Sequence, residues 1–388
     1  MIKKLGLSKR GYYKFQWRSK GKYICMMKKV LFILNNLEGG GAERVFVNIA
    51  NGFLQNNIQV EFLLGKKQGV YLSQLNTSIP VAEVGGTSFL KLMKFFPGYF
   101  KKNNYTHVFT ASHYIGAAAI ISKRITRIKT KVYQTHHYTL PGSRSVKRLK
   151  GDLVLKLIYY VTAPFADKII AVSNGSLEWL RKFSHHKLPQ GICIYNPVYD
   201  KSIYDLASEA VDFPININQK KILLSVGRLA EEKDPFTLIK AFEIFRKNNS
   251  NTVLLILGQG PLQHELLKYI AVNGLQNEVV LVGFEVNPYK WMAKCDALIL
   301  SSKYEGFGNV LVEAMALGKT VVSTDCPSGP NEILRNGELG YLCPVENPAA
   351  MARTIEKAIE SPLDQVLLRT AAQQYNSSNI IKEYIAIL

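Results

Sequence analysis

The residues best suited to chemistry lie between Ser301 and Gly318. The apolar run Ala297 to Leu300 reads as a strand. Glu305 follows it, then the glycine-flanked turn Gly306-Phe307-Gly308, then a helical stretch from about Asn309 to Leu317 that carries Glu313. The backbone N–H groups of Gly308, Asn309, Val310 and Leu311 would be the unpaired donors of that helix's first turn. They sit at the positive end of its dipole and suit a phosphate. The two carboxylates, one before the turn and one inside the helix, would accept hydroxyl protons from sugars on either side of that phosphate. A nucleotide sugar offers this combination.

Two further loops could share the work. Gly227-Arg228-Leu229-Ala230-Glu231-Glu232-Lys233 follows the strand-like run Lys221 to Val226. An arginine fork and a lysine point charge on one loop suit a diphosphate, although ion pairs with Glu231, Glu232 and Asp234 would use the same cations. Gly39-Gly40-Gly41 follows the run Lys28 to Leu34 and opens a helical pattern, so it fits a tight turn as well as a phosphate contact. The G-x-G-x-x-G spacing is missing, and Gly65-Lys66-Lys67 stands where an acidic residue would hold a dinucleotide ribose. A dinucleotide oxidoreductase is therefore poorly supported.

All three loops need a strand before them and a helix after them. Strand-like runs at Lys28–Leu34, Val60–Leu64, Val108–Thr110, Val132–Gln134 and Ile169–Val172 alternate with helical stretches. A second series runs through Lys221–Val226, Thr252–Leu257, Val279–Val282, Ala297–Leu300 and Thr320–Ser323. Strand–helix alternation implies a parallel sheet covered on both faces, so the chain should hold two doubly wound α/β domains, at 26–200 and 201–370. Asn196 to Asn218 reads as the linker, because periodicity lapses there. Ligands bind at the carboxyl ends of such sheets, which places a site in the cleft between the domains.

Length and composition agree. The 388 residues are 47% apolar, with 18 Phe, 20 Tyr and 3 Trp, enough for packed cores and against disorder. Five scattered cysteines without a C-x-x-C pair argue against a disulfide framework or thiolate zinc site and favour a reducing cytosol. No apolar run reaches the roughly 18–20 residues that cross a bilayer, the best being Leu153 to Ile170, broken by charges and Pro164. Residues 1–200 carry 31 Lys+Arg against 8 Asp+Glu, an excess of +23, whereas 201–388 carry 18 against 21. Such a basic half attracts a polyanion, either nucleic acid or an anionic membrane, or simply keeps a surface solvated. Residues 1–25 form a basic extension without the apolar core of a signal peptide, and Met26-Met27 marks an alternative start.

Taken with its flanks, Glu305-x7-Glu313 resembles the signature of the retaining glycosyltransferases of family 4. Gly39-Gly40-Gly41-Ala42-Glu43-Arg44, Gly227-Arg228 with Lys233, Gly258-Gln259-Gly260-Pro261 and Asp325-Cys326-Pro327-Ser328-Gly329-Pro330-Asn331-Glu332 stand in family order from Met27 to about Ile385. The resemblance implies a GT-B architecture, with two Rossmann-like domains facing each other across a cleft and a C-terminal helix, 371–388, returning to the first. It implies that Arg228 and Lys233 neutralise the donor diphosphate, that Glu313 holds the ribose, and that Glu305 contacts the transferred sugar with Gly306, Phe307 and Gly308 around it. Phe284 would lie near the base, and Gly40 and Gly41 would approach the diphosphate or the acceptor. A first-domain histidine near the reacting centre is also implied. His113 is favoured over His136, with His137 and the His185-His186 pair left to structural or surface roles.

No D-x-D occurs in the chain, so no metal or other cofactor is expected and the nucleotide sugar is a co-substrate. The implied reaction transfers a hexose or N-acetylhexosamine, UDP-linked by the character of the Asp325–Pro330 stretch, to a lipid-linked or polysaccharide acceptor. The basic domain would lie on the inner face of the cell membrane, with Lys147 to Tyr159 as a basic amphipathic segment. The alternatives are a nucleotide-sugar epimerase of the same fold and a basic nucleic-acid-binding protein. The latter lacks interleaved aromatics and any reading module, so no nucleic-acid partner is expected.

Overall fold

The computed structural model describes residues 18–19, 22–23, 28–137, 157–184, 188 and 190–388. The first sheet has seven strands: β1 Lys29–Leu34, β2 Gln59–Leu64, β3 Val81–Glu83, β4 His107–Thr110, β5 Lys131–His136, β6 Lys168–Ala171 and β7 Gly191–Cys193. Their spatial order is β3-β2-β1-β4-β5-β6-β7, every neighbouring pair parallel. β1 alternates strictly. Val30, Phe32 and Leu34 enter the core on one face and Leu31 and Ile33 the core on the other, as a strand covered on both sides must. Phe32 anchors its side, with ring centroids 5.2–5.3 Å from Phe46, Phe62 and Phe109.

The second sheet repeats the plan with six strands: β8 Lys221–Val226, β9 Thr252–Leu257, β10 Val279–Gly283, β11 Ala297–Leu300, β12 Thr320–Thr324 and β13 Tyr341–Cys343. They lie in the order β10-β9-β8-β11-β12-β13, again all parallel. In each sheet the order reverses beside its first strand, between β1 and β4 and between β8 and β11. That is the switch point at which connections diverge and a crevice opens.

The helices needed below are α1 Gly41–Gln55, α2 Phe89–Asn103, α3 His113–Thr126, α4 Asn174–Phe183, α5 Ser202–Ser208, α6 Pro235–Phe245, α7 Asn309–Ala316 and α8 Ser377–Ala386. α5 corrects the reading of Asn196 to Asn218 as an unpatterned linker. Its seven residues bury Ile203 and Ala207, and Asn287 Nδ2 caps it by donating to the Leu206 carbonyl at 2.8 Å. The three short strands β3, β7 and β13 were likewise absent from the sequence reading. The chain crosses between domains twice, side by side: Val198 N donates to the Tyr375 carbonyl at 3.2 Å and Ser377 N to the Tyr199 carbonyl at 2.8 Å. α8 then packs on α1, placing Ile380, Ile381 and Tyr384 in the first-domain core, and Tyr133 Oη donates to the Ile387 carbonyl at 2.6 Å. The greater part of the 1–25 extension, most of the Lys147–Tyr159 segment and His185-His186 lie outside the described residues.

Candidate functional site

β8 ends in the loop that carries Arg228 and Lys233, and glycines of neighbouring loops exist to let it sit there. Gly258 has φ +138°, and a Cβ on it would lie 1.9 Å from the Gly227 carbonyl oxygen. On Gly260 a Cβ would lie 2.2 Å from that of Leu229. Leu229 N donates to the Gln259 carbonyl at 3.0 Å, so Gly258-Gln259-Gly260-Pro261 is the backbone mould of the Arg228 loop. Gly227, Arg228, Leu229 and Lys233 of that loop, with Ser225, Val226, Ile256, Leu300 and Ser301, line a recess at the carboxyl edge of the second sheet.

Lys233 does not pair with its sequence neighbours. Its Nζ is bound to Glu305 Oε1, which also accepts from Ser302 Oγ at 2.6 Å. Ser301 Oγ donates to the Lys233 carbonyl at 2.7 Å and Lys303 N to that of Glu232 at 2.9 Å, so the two loops are laced together. Asp234 instead caps α6, accepting from Thr237 N at 3.3 Å and Thr237 Oγ1 at 2.7 Å. Beyond Glu305 the turn needs φ +104° at Gly308, which L side chains rarely adopt, and α7 begins at Asn309. The N–H groups of Asn309 and Val310 are the first free donors of α7, whereas that of Leu311, expected to be free, donates to the Gly308 carbonyl at 3.0 Å and closes the turn.

The first domain closes over this site. Arg44, in the first turn of α1, forms an ion pair with Glu313 Oε1 and donates from Nη1 to Tyr289 Oη at 3.2 Å. Glu313 is 1% exposed and Arg44 16%, so this is a buried pair between domains. Gly39 lies against Phe284, a Cβ on it coming within 3.3 Å of Phe284 Cε2, and one on Gly41 would lie 3.4 Å from Asn309 Nδ2. The Glu43 carboxyl folds over Gly40; burial pushes its pKa up, with the Arg228 guanidinium drawing it back. The glycine loop of the first domain and the Arg228, Glu305 and Glu313 loops of the second thus meet across one cleft.

Three histidines reach the edge of the first sheet. His113 opens α3 and His136 ends β5; both are buried, with ring centroids 4.5 Å apart and edges against Tyr159 at 5.4 and 5.3 Å. Burial holds His113 down at about 4 and His136 well below its ordinary range. His137, the next residue, is half-buried, 5.3 Å from the ring of Phe46 on α1, and burial brings it to about 3. In all three, burial disfavours the charged imidazolium. Among the described residues no group of three or more His, Cys, Asp or Glu side chains could hold a metal ion.

Sequence reasoning assigned no role to Arg44, although it stands in the quoted glycine stretch, nor to Ser173, Asn174, Tyr195 and Glu332, which also bridge the domains. Only Arg44 and Glu332 had a signal, each being a charge inside a singled-out motif.

The comparisons with known proteins follow the same division of the chain. Residues 39–199 match the family model described as Glycosyltransferase Family 4, and residues 208–376 match Glycosyl transferases group 1. The chain is 35% identical over 222 residues to the N-acetylgalactosamine-N,N'-diacetylbacillosaminyl-diphospho-undecaprenol 4-alpha-N-acetylgalactosaminyltransferase of Campylobacter jejuni. The match covers 57% of this chain and 59% of that relative. A second Campylobacter jejuni enzyme, a GalNAc-alpha-(1->4)-GalNAc-alpha-(1->3)-diNAcBac-PP-undecaprenol alpha-1,4-N-acetyl-D-galactosaminyltransferase, is 23% identical over 93% of this chain and 98% of its own. Among solved structures, HepE of Anabaena in complex with UDP and glucose shares the fold at a TM-score of 0.73 and 22% identity, covering 92% of this chain and 98% of that one. With both of its domains so matched, the chain belongs to the glycosyltransferases of family 4 and has their GT-B architecture.

Proposed function

We propose that the protein transfers a hexose or N-acetylhexosamine, with retained anomeric configuration, from a UDP-linked donor to a hydroxyl of a lipid-linked or polysaccharide acceptor in cell-surface glycan synthesis. The carrying observation is the convergence of Arg228, Lys233, Glu305, Glu313 and the amino end of α7 at the carboxyl edge of the second sheet, facing Gly40 and Gly41. The names of both Campylobacter relatives specify a lipid-diphosphate acceptor, and the HepE crystal holds UDP and glucose, which supports this donor and acceptor chemistry.

In this reading Arg228, Lys233 and the free α7 donors, the N–H groups of Asn309 and Val310, neutralise the diphosphate. No metal is needed for that charge. Glu313 receives the ribose hydroxyls, Phe284 borders the base, and Glu305 receives hydroxyls of the sugar. The bond from the anomeric carbon to the diphosphate breaks as the acceptor oxygen bonds on the same face, and the acceptor proton passes to the departing phosphate oxygen. Glu305 is bound to Lys233 and serves as a ligand for the sugar, not as a covalent nucleophile. Of the first-domain histidines, His137 fits the reacting centre better than His113 or His136. Those two are locked against each other and Tyr159, whereas His137 follows the strand and packs on Phe46 of cleft helix α1.

The first domain would dock on an anionic membrane surface. Ile125, Leu157, Val161 and Phe165 are 64%, 63%, 53% and 47% exposed, and Arg124 lies 4.1 Å over the Phe165 ring, the pairing of apolar tips and cations that an interface takes up. Thermal unfolding with UDP, GDP, ADP, NAD and UDP-sugars tests the donor reading. At about 100 times its dissociation constant a ligand adds roughly 2.7 kcal/mol, so UDP should raise the midpoint visibly and Arg228→Ala should abolish the rise. Stabilisation by NAD alone, or by no nucleotide, refutes it.

A further inference from the structure

Gly306, in the middle of the turn after Glu305, is held from the other domain. Its carbonyl oxygen lies 2.8 Å from Ser173 Oγ and 3.0 Å from Ser176 Oγ, two hydroxyls at the amino end of α4 that are 0% and 1% exposed. Ser173 also caps α4, accepting from Ser176 N at 3.1 Å, so the hydroxyl that ends the helix is the one that grips the turn.

The other side of the turn is held by the stretch Ser328–Glu332. Ser328 Oγ donates to the Glu305 carbonyl at 3.1 Å, and Gly329, at φ +83°, lets its backbone pass so close that a Cβ would sit 2.1 Å from the Phe307 carbonyl oxygen. That stretch is in turn tied to α4. The Glu332 carboxylate accepts from Asn174 N at 2.9 Å, Gly175 N at 3.4 Å, Asn174 Nδ2 at 2.5 Å and Tyr195 Oη at 2.5 Å. A carboxylate on the free N–H groups of a helix's first turn is the favourable sign for the dipole. Phe307 completes the clamp, packing at 5.7 Å from Tyr195, which precedes the first crossing, and 5.3 Å from Tyr375, at the second.

We propose that the amino end of α4 sets the position of the Glu305–Gly308 turn, so that Ser173, Ser176 and Glu332 are positioning residues for the donor sugar. The inference rests on the reading of Glu305 and its turn as the sugar site. Its physical content is one of leverage. Displacement in a rigid-body rotation grows with distance from the axis, and these contacts sit at the double crossover. The turn therefore keeps its register with the first domain while the far side of the cleft opens and closes. Donor binding through the diphosphate loops belongs to the second domain alone, whereas placement of the sugar is shared by both.

The test uses the full chain with Ser176→Ala and, separately, Glu332→Gln, which keeps the side-chain volume but replaces an acceptor oxygen with an NH2 facing the α4 donors. Hydrogen exchange of the backbone amides at 303–309 should quicken about tenfold in each variant, with those of β8 unchanged. Calorimetry with UDP, UDP-glucose and UDP-N-acetylglucosamine should show UDP bound within about twofold of the unaltered protein and the best-bound UDP-sugar weakened about tenfold. Exchange at 303–309 unchanged in both variants, or UDP and UDP-sugar weakened alike, overturns the proposal. Should the unaltered protein bind no nucleotide, the donor-site reading fails, and the exchange experiment by itself decides whether α4 sets the turn.

Discussion

Arg44 is the residue whose loss says most about how the cleft is held. Arg44→Met keeps the apolar stem and removes the charge, leaving the Glu313 carboxylate, 1% exposed, without its cation. Two unit charges about 4 Å apart attract by about 4 kcal/mol at an effective dielectric of about 20, and removing one partner of a buried pair costs about 3–5 kcal/mol. The cleft can open and let water reach Glu313, so the lower figure, about 3 kcal/mol, is expected. For domains of this size that is a fall of roughly 6–12 °C in the unfolding midpoint. The assay is a double-mutant cycle of Arg44→Met, Glu313→Gln and both together, read by calorimetric unfolding. The double variant should lose less than the sum of the singles by about 2 kcal/mol. Two further readouts separate this pair from a surface contact. The loss should persist in about 0.5 M salt, because buried pairs are little screened. It should also shrink when UDP is saturating, because ribose hydroxyls then donate to the orphaned carboxylate. Additivity within about 0.5 kcal/mol, or a loss that salt abolishes, refutes the reasoning.

Gly260→Ala should destabilise by more than about 1 kcal/mol and weaken nucleotide binding, because its Cβ would meet the Leu229 carbonyl oxygen at 2.2 Å. Gly98→Ala, exposed within α2 with nothing inside 4 Å of the added carbon, should be neutral or gain about 0.5–1 kcal/mol; urea midpoints of the two variants check both. Acid should destabilise the first domain early: His107 and His113 are held down at about 4 and His137 at about 3, mainly by burial, so the unfolded chain binds more protons as pH falls below the ordinary histidine value of 6.5. At pH 5.5 each of these costs up to about 1.4 kcal/mol, and unfolding midpoints that do not move between pH 7.5 and 5.5 would contradict it. Phe165→Ser combined with Val161→Ser should reduce sedimentation with phosphatidylglycerol vesicles several-fold while leaving the unfolding midpoint within a degree or two, since both side chains are half exposed.

Much of the frame was legible because its signals are local. Thr252–Leu257 and Ala297–Leu300 have the bounds read from the sequence, since a compact apolar run announces itself within a dozen residues. β3, β7 and β13 were not legible, for three residues carry too little periodicity, and α5 was missed because its seven residues bury only Ile203 and Ala207. The Glu305–Glu313 element could be placed at a strand end and a helix start, but the partners of its groups could not. Arg44 reaches Glu313, Ser173 reaches Gly306, and Asn174 reaches Glu332 across more than 130 residues, and no spacing rule joins them. The histidines show the same limit. Their common edge follows from β4 and β5, whereas the interlock of His113 with His136, and the place of His137 beside Phe46, depends on how α1, α3 and Tyr159 pack.

These long-range pairs share a physical pattern. The singled-out carboxylates of the second domain each have a partner within the protein: Glu305 has Lys233, Glu313 has Arg44, and Glu332 has the amino end of α4. A carboxylate with 1% or 10% exposure needs such a partner, because an unpaired buried charge costs several kcal/mol. The partners differ in what a nucleotide sugar would do to them. On the proposed reading, ribose and sugar hydroxyls would take over the Glu313 and Glu305 carboxylates from Arg44 and Lys233 and leave Lys233 to the diphosphate, so binding would exchange one set of charge contacts for another. Glu332 has no such substitute and its bonds lie at the domain crossover, so it should remain in place throughout. On the proposed reading the same class of group divides by position: carboxylates in the cleft would be exchangeable ligands, and the carboxylate at the domain crossover a fixed joint.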